Sequence, residues 1–141
     1  MKKVKKVSMI GFYNSQNQIL LQERGEYSKF GEEWAFFGGH LEEGESALQA
    51  FFREAKEELG IDMNDFDYKY LGEYLFEFPD LLIHRHIYII KTDLFETDFT
   101  VLEGSGAKFF SFEDANKLKF PTNPEGALEI VEDYIFSKKR M

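Results

Sequence analysis

The sequence lacks cysteine, and this absence excludes disulfides, thiolate nucleophiles and zinc–thiolate sites together. It also lacks any run of the roughly 20 apolar residues that a helix needs to cross a bilayer. Positively charged residues are fewer than negatively charged ones. The resulting net charge of −9 argues against broad binding to nucleic acids or anionic membranes. An acidic protein can still bind a polyphosphate when a metal ion lies between the two. We therefore expect a cytoplasmic protein whose partner is a small molecule.

Length and composition describe a single domain. The 141 residues are 43% hydrophobic and 30% charged, which is typical of a globular protein with one substantial core. The 16 Phe and 7 Tyr predict a core rich in phenylalanine. No repeat, linker or low-complexity tract divides residues 1–141, so we treat them as one domain, either a monomer or a homodimer.

Hydrophobic periodicity predicts an α/β architecture in which one mixed β-sheet lies between helices. Strands are expected at residues 4–12, 18–23, 34–37, 68–78, 84–94 and 107–112. Helices are expected at residues 47–59, 113–118 and 125–137. The pair Gly38-Gly39 is expected to lie in a loop after the third strand.

The helix at residues 47–59 has the clearest boundaries. Ser46 and Gln49 form a capping-box pattern, and Gly60 is the glycine expected just past the C-terminus. Between these signals, five apolar residues fall within about 100° of one another on the helical wheel, which predicts a core-facing stripe. The stripe consists of Leu48, Phe51, Phe52, Ala55 and Leu59.

Three carboxylates, Glu54, Glu57 and Glu58, share one face of this helix, about 130° from the centre of the apolar stripe. Like charges at these spacings destabilise a helix by a few tenths of a kcal/mol per pair, unless a cation neutralises them. Oxygen-only ligands favour Mg²⁺ or Mn²⁺ over zinc, and Mg²⁺ commonly completes its shell with water and substrate phosphate oxygens. Taken alone, however, three glutamates beside Lys56 are more typical of an ordinary charged surface.

The residues around the glutamates add a second, more specific signal. Arg53 can reach back to Glu45, and a bidentate guanidinium–carboxylate pair there would fix the loop against the helix. Gly38 and Gly39 allow the backbone to approach a metal or a phosphate closely, and the Gly38 carbonyl is a candidate metal ligand. Seven specified residues at fixed spacing are not explained by a charged surface.

The complete pattern over residues 39–61 resembles the Nudix box, G-x5-E-x7-R-E-U-x-E-E-x-G-U with U a bulky apolar residue. Every fixed position matches, and the first U position holds the smaller Ala55. The resemblance implies an α/β/α sandwich and Mg²⁺-dependent hydrolysis of a nucleoside diphosphate linked to another group. It also implies that Glu54, Glu57 and Glu58 are the metal ligands, with Arg53 and Glu45 as supporting catalytic residues.

Outside the box, two segments are similar to the MutT-like, nucleotide-sanitising subgroup of the family. Trp34, Phe36 and Phe37 precede the box as substrate-contacting candidates, although this subgroup commonly has Pro where the chain has Phe37. Glu103, ahead of the last strand, is similar to a late glutamate that serves as a further metal ligand or general base. A simple turn glutamate is the alternative interpretation of Glu103.

The substrate prediction depends on two more residues. Asn123 lies where the subgroup reads an oxidised guanine, and its amide can both donate and accept hydrogen bonds, although Asn before Pro is also a turn signal. Arg24 is a candidate to bind a phosphate or to stack on a base, and the alternative is a plain surface residue. The leading prediction is hydrolysis of a nucleoside triphosphate, including an oxidised purine one, to the monophosphate and pyrophosphate. The alternatives are an ADP-ribose or nucleotide-sugar pyrophosphatase, supported by Pro79, and a non-catalytic nucleotide sensor.

Overall fold

The computed structural model describes residues 2–23, 34–102, 106–118 and 126–137. The strands in these residues are β1 (Lys3–Tyr13), β2 (Ile19–Glu23), β3 (Trp34–Ala35), β4 (Phe37–His40), β5 (Lys69–Phe78), β6 (Leu81–Lys91) and β7 (Gly106–Phe110). The α-helices are α1 (Ala47–Leu59), α2 (Phe112–Ala115) and α3 (Ala127–Ser137). No helix in these ranges is long and apolar enough to span a membrane.

All seven strands join one mixed sheet. Its main order is β3-β2-β1-β6-β5, while β4 pairs with β1 and β7 pairs with β2. Strands β1 and β6 are parallel over their whole length, from Lys3 beside Leu81 to Tyr13 beside Lys91. The predicted mixed sheet between helices is therefore confirmed.

Strand β1 lies at the centre of the core because both of its faces are covered. Met9 and Tyr13 face a cluster that includes α2 and α3, whereas Ile10 and Phe12 face a cluster that includes α1. A strand buried on two sides needs a continuous apolar run, and residues 9–13 supply one. The α1 side is rich in aromatic rings, as predicted from the composition.

Helix α1 begins and ends where the sequence predicted. The Ser46 hydroxyl accepts from the Gln49 backbone N–H at 3.1 Å, and the Gln49 side chain accepts from the Ser46 N–H at 2.9 Å. Gly60 ends the helix with a φ of 66°, a left-handed conformation that glycine adopts without a Cβ penalty. The Ser8 hydroxyl donates to the Ala47 carbonyl at 2.8 Å and ties the start of α1 to β1.

Three predicted elements differ from the observed ones. Gly38 and Gly39 lie in β4, opposite Met9 and Ser8, where a loop was expected. Strand β6 begins at Leu81 and not at residue 84, because the turn at residues 79–80 joins it directly to β5. Strand β7 ends at Phe110 because the Ser111 side chain caps α2.

The buried face of α1 is also rotated from the predicted one. Leu48, expected in the core, is 42% exposed, whereas Glu58 is only 4% exposed. The helix packs over β1 and β4 with its inward face centred between Phe51 and Glu58, which accounts for the burial of Glu58. Two of the predicted metal-binding glutamates therefore point toward the sheet, and not away from it.

Candidate active site

Arg53 is the centre of the site. Its Nε and Nη2 donate to the two carboxylate oxygens of Glu45, at 2.8 and 2.9 Å. Its Nη1 donates to Glu54 at 2.8 Å and to Glu57 at 3.1 Å. Nη2 also donates to the backbone carbonyl of His40 at 2.9 Å. One guanidinium thus ties together α1, the end of β4 and the loop between them.

The fork between Arg53 and Glu45 has the bidentate geometry that the sequence predicted. The guanidinium lowers the pKa of the Glu45 carboxyl from 4.5 to about 2, and a hydrogen bond from the Glu42 backbone N–H adds to this effect. In return, the carboxylates raise the pKa of Arg53 above its ordinary value. The pair therefore stays fully charged across the physiological range.

Glu58 is a buried carboxylate beside a glycine backbone. Its Oε1 accepts the Gly38 N–H at 2.8 Å, and its carboxylate lies within hydrogen-bonding reach of Glu54. Burial raises the pKa of Glu54, while Arg53 acts in the opposite direction and the charge of Glu57 raises it further. Two acidic groups are therefore held close together in a poorly hydrated place.

The backbone requires glycine at residue 38, and a side chain at residue 39 would displace one of these carboxylates. Gly38 has a φ of 134°, and a Cβ there would collide with the Ser8 carbonyl oxygen. A Cβ on Gly39 would overlap the carboxylate of Glu54. The two glycines allow the helix and the strand to approach until carboxylates and backbone share one small space.

A divalent cation fits this set of donors. The donors are carboxylate oxygens, which Mg²⁺ and Mn²⁺ prefer, and the mutual repulsion of Glu54 and Glu58 is relieved by positive charge. Glu57, whose side chain is 50% exposed, would provide a solvent-facing oxygen. Among the residues described, no three His, Asp or Glu side chains already surround one point closely enough to hold an ion. Arg53 draws Glu54 and Glu57 to itself, so both would turn from it when an ion binds.

The predicted substrate-contacting residues are placed unequally. Trp34 and Phe36 are half-buried on the α3 side of the sheet. The ring of Trp34 packs edge-on against that of Phe110, with 4.8 Å between the ring centroids. Phe37 is 1% exposed in the core on the α1 side, which leaves it almost no surface for a substrate. Arg24, Glu103 and Asn123 lie outside the described residues, and their roles stay predictions.

One contact in the site has no signal in the sequence. The carbonyl of His40 completes the arginine network, and any residue type supplies a carbonyl. Only the position of β4 beside β1 brings it there, through the pairing of Val7 with His40.

Comparisons with known proteins agree with this geometry. The family model of the NUDIX domain matches residues 2–134. An 8-oxo-dGTP diphosphatase of Escherichia coli (strain K12) is 31% identical over 108 residues, which cover 77% of this chain and 81% of that protein. Another, of Proteus vulgaris, is 36% identical over 74 residues, or 52% of this chain and 61% of that protein, less than two thirds of its length.

The fold of the chain is also similar to that of a solved structure. The crystal structure of a MutT protein from Methanosarcina mazei Go1 superimposes with a TM-score of 0.73 at 20% identity, covering 98% of this chain and 97% of that one. The chain belongs to the Nudix family. It is a MutT-like hydrolase that acts on diphosphate bonds, and hydrolases of this family generally use divalent metals.

The low pKa of Glu45 predicts a specific dependence of stability on pH. A carboxyl whose pKa is lower in the folded state stabilises the fold above its unfolded pKa, and this contribution is lost as pH falls. The stability advantage of the wild type over Glu45→Gln should therefore shrink as pH falls from 4.5 toward about 2. Urea unfolding at a series of pH values measures this difference.

The control is Glu43→Gln, a matched change at an exposed residue of the same loop. A difference between wild type and Glu45→Gln that stays constant over the whole acid range would contradict the assigned ion pair.

Proposed function

We propose that the protein is an Mg²⁺-dependent pyrophosphohydrolase that cleaves a nucleoside triphosphate to the monophosphate and pyrophosphate. Oxidised purine nucleoside triphosphates are the first substrates to test. The names of the two bacterial relatives, both 8-oxo-dGTP diphosphatases, support this choice of substrate. Mn²⁺ is the alternative ion, because it accepts the same oxygen ligands.

The observation that carries the proposal is the cluster of carboxylates held by Arg53 against the glycines of β4. Glu54 and Glu58 lie within hydrogen-bonding reach of each other, and Glu57 shares the Nη1 group of Arg53 with Glu54. A purely structural helix surface has no reason to bury one of three neighbouring acids and half-bury a second, since burial of like charges is costly. Cation binding gives that arrangement a purpose.

The residues of the site have distinct parts in the proposed reaction. Glu54, Glu57 and Glu58 hold the ion, with the Gly38 carbonyl as a further ligand. Arg53 and Glu45 fix the direction in which α1 presents these carboxylates. The glycines at residues 38 and 39 let the backbone of β4 lie directly against β1 and against the carboxylate of Glu54.

The bound cation would screen the charge of the diphosphate and favour ionisation of the attacking water. A water oxygen forms a bond to one phosphorus, the bridging P–O bond breaks, and the proton of the water passes to a base. Glu103 is the candidate for that base, or for a further ligand. Arg24 and Asn123 are the candidates for phosphate and base recognition, together with the half-buried rings of Trp34 and Phe36.

Hydrolysis of ADP-ribose or a nucleotide sugar is the second candidate function. Pro79, which supports it in the sequence, lies in the turn between β5 and β6. A non-catalytic sensor would be expected to lack some of the box carboxylates, whereas Glu45, Glu54, Glu57 and Glu58 are all present.

A substrate panel tests the proposed function. Canonical and oxidised purine nucleoside triphosphates, pyrimidine triphosphates, ADP-ribose and nucleotide sugars are incubated with Mg²⁺ or Mn²⁺, and the products are identified. We expect the highest kcat/KM for a purine triphosphate, with monophosphate and pyrophosphate as products. A preference for ADP-ribose over every triphosphate would replace the substrate assignment, and turnover of no compound would favour the sensor.

Glu57→Gln tests the assignment of the carboxylates. Removal of this charge should lower kcat by about a hundredfold or more, because the ion and the diphosphate lose a negative ligand. Folding should change little, since the Glu57 side chain is half exposed. The matched control Glu43→Gln should keep full activity. Activity of Glu57→Gln close to that of the control would show that Glu57 does not hold the ion.

A further inference from the structure

Arg85 brings a guanidinium group to the face of the sheet that carries α3. Ile87 and Ile89 follow it at alternate positions of β6 and pack in the core cluster that includes α3, so the Arg85 side chain points to the same side. The Arg85 guanidinium carbon lies 4.8 Å from the centroid of the Phe76 ring, which packs against the same cluster. The proposed reaction does not yet use this cation.

Strand pairing places Arg85 close to the carboxylate site. Val7 of β1 pairs with His40 of β4 on one side and with Arg85 of β6 on the other. The carbonyl of His40 accepts a hydrogen bond from Arg53. Neighbouring strands are about 4.8 Å apart, so two steps across the sheet, or about 10 Å, separate Arg85 from the His40 backbone. A distance of this order also separates the base of a nucleotide from its diphosphate.

The carboxylates and Arg85 lie on opposite faces of the sheet, and β4 lies between them at an edge. The carboxylates belong to α1, which packs on the face opposite α3. Among the strands that the structure describes, only β1 pairs with β4, so β4 is an edge strand. Trp34 and Phe36, which lead into β4, are on the α3 side. A substrate that passes this edge can keep its diphosphate at the carboxylates and turn its base toward these rings and Arg85.

The surroundings of Arg85 are poor in water. The side chain is partly buried, and this burial lowers the pKa of Arg85 to about 10. The group still carries its charge at neutral pH, and a charge in such a place is costly unless polar or aromatic partners compensate it. The Phe76 ring supplies a cation–π contact, and a Cβ on Gly126, just before α3, would lie 3.6 Å from that ring. Hydrogen bonds to a bound ligand would compensate the charge further.

The chemistry of arginine selects the group that it can bind. A guanidinium only donates hydrogen bonds, so its partner on a substrate must be an acceptor. Guanine offers two acceptors on one edge, O6 and N7, and arginine is a preferred partner of this pair. Adenine carries an amino donor in the place of O6, which opposes the donors of arginine. Oxidation of guanine at C8 keeps O6 and adds a second oxygen acceptor.

We propose that Arg85 determines the base specificity of the protein by donating hydrogen bonds to O6 of a 6-oxopurine nucleotide. The proposal rests on the proposed function, which holds the diphosphate at the carboxylates of α1. Because Arg85 lies on the other face of the sheet, it meets the base and not the phosphates. A 6-aminopurine of the same size binds less tightly, since its amino group faces the Arg85 donors.

Binding of nucleoside monophosphates tests the proposal without depending on turnover. Isothermal titration calorimetry measures the affinity of the full chain, with Mg²⁺ present, for GMP, 8-oxo-GMP and AMP. We expect the wild type to bind both 6-oxopurines more tightly than AMP. Arg85→Met keeps an apolar side chain over Phe76 and removes the donors, so it should weaken 6-oxopurine binding by roughly tenfold or more and AMP binding by less than about twofold. Arg85→Lys keeps the charge but loses the planar fork, and should also lose most of the preference.

The matched control is Lys69→Met, because the Lys69 Nζ lies 5.3 Å from the centroid of another ring, that of Tyr134. This variant should keep the base preference. Equal losses of GMP and AMP affinity in Arg85→Met would indicate a phosphate contact or a structural role and overturn the proposal. Wild-type binding that is absent, or that shows no preference for 6-oxopurines, would overturn it as well.

Two further measurements separate this proposal from the proposed function. The Mn²⁺ affinity of Arg85→Met, measured by electron paramagnetic resonance, should equal that of the wild type, because Arg85 lies on the face opposite the carboxylates. A wild type that hydrolyses no triphosphate, yet shows a base preference that Arg85→Met abolishes, would refute the proposed reaction and support base recognition by Arg85.

Discussion

The guanidinium of Arg53 is the interaction on which the site depends. Three acidic side chains crowd one turn and a half of α1, and their repulsion would otherwise separate them. Arg53 contacts two of them, Glu54 and Glu57, and reaches Glu45 and the His40 carbonyl outside the helix. A lysine would keep the charge and lose the planar fork that makes these contacts simultaneously. The loop, the strand and the helix are therefore positioned by one side chain.

The sheet supplies the second half of the arrangement. Strand β4 pairs with β1 through residues that include Gly38 and Gly39. These glycines lie beside the carboxylates of α1. The Gly38 N–H donates to Glu58, so the backbone compensates part of the charge that burial leaves unsolvated. In the proposed function, a divalent cation neutralises the remaining charge. The site is thus held by α1 on one side and by the sheet on the other.

The sequence predicted the features that depend on residues close in the chain. It missed those that depend on how strands pair and on how a helix packs against them. The ends of α1 and the contact of Arg53 with Glu45 follow from residues close in the chain, so spacing alone identified them. The burial of Glu58 was not predicted, because the inward face of a helix is decided by the strand that it covers. The first residue of β6 was misplaced for a similar reason, since its partners on β5 extend the strand back to Leu81.

The central claim is that the carboxylates fixed by Arg53 bind a divalent cation. Electron paramagnetic resonance of Mn²⁺ measures the unbound ion directly and needs no substrate. Titration of wild type, Glu58→Gln and the control Glu43→Gln should give equal affinities for wild type and control, and an affinity lower by roughly tenfold or more for Glu58→Gln. Equal Mn²⁺ affinity in all three proteins would contradict the account.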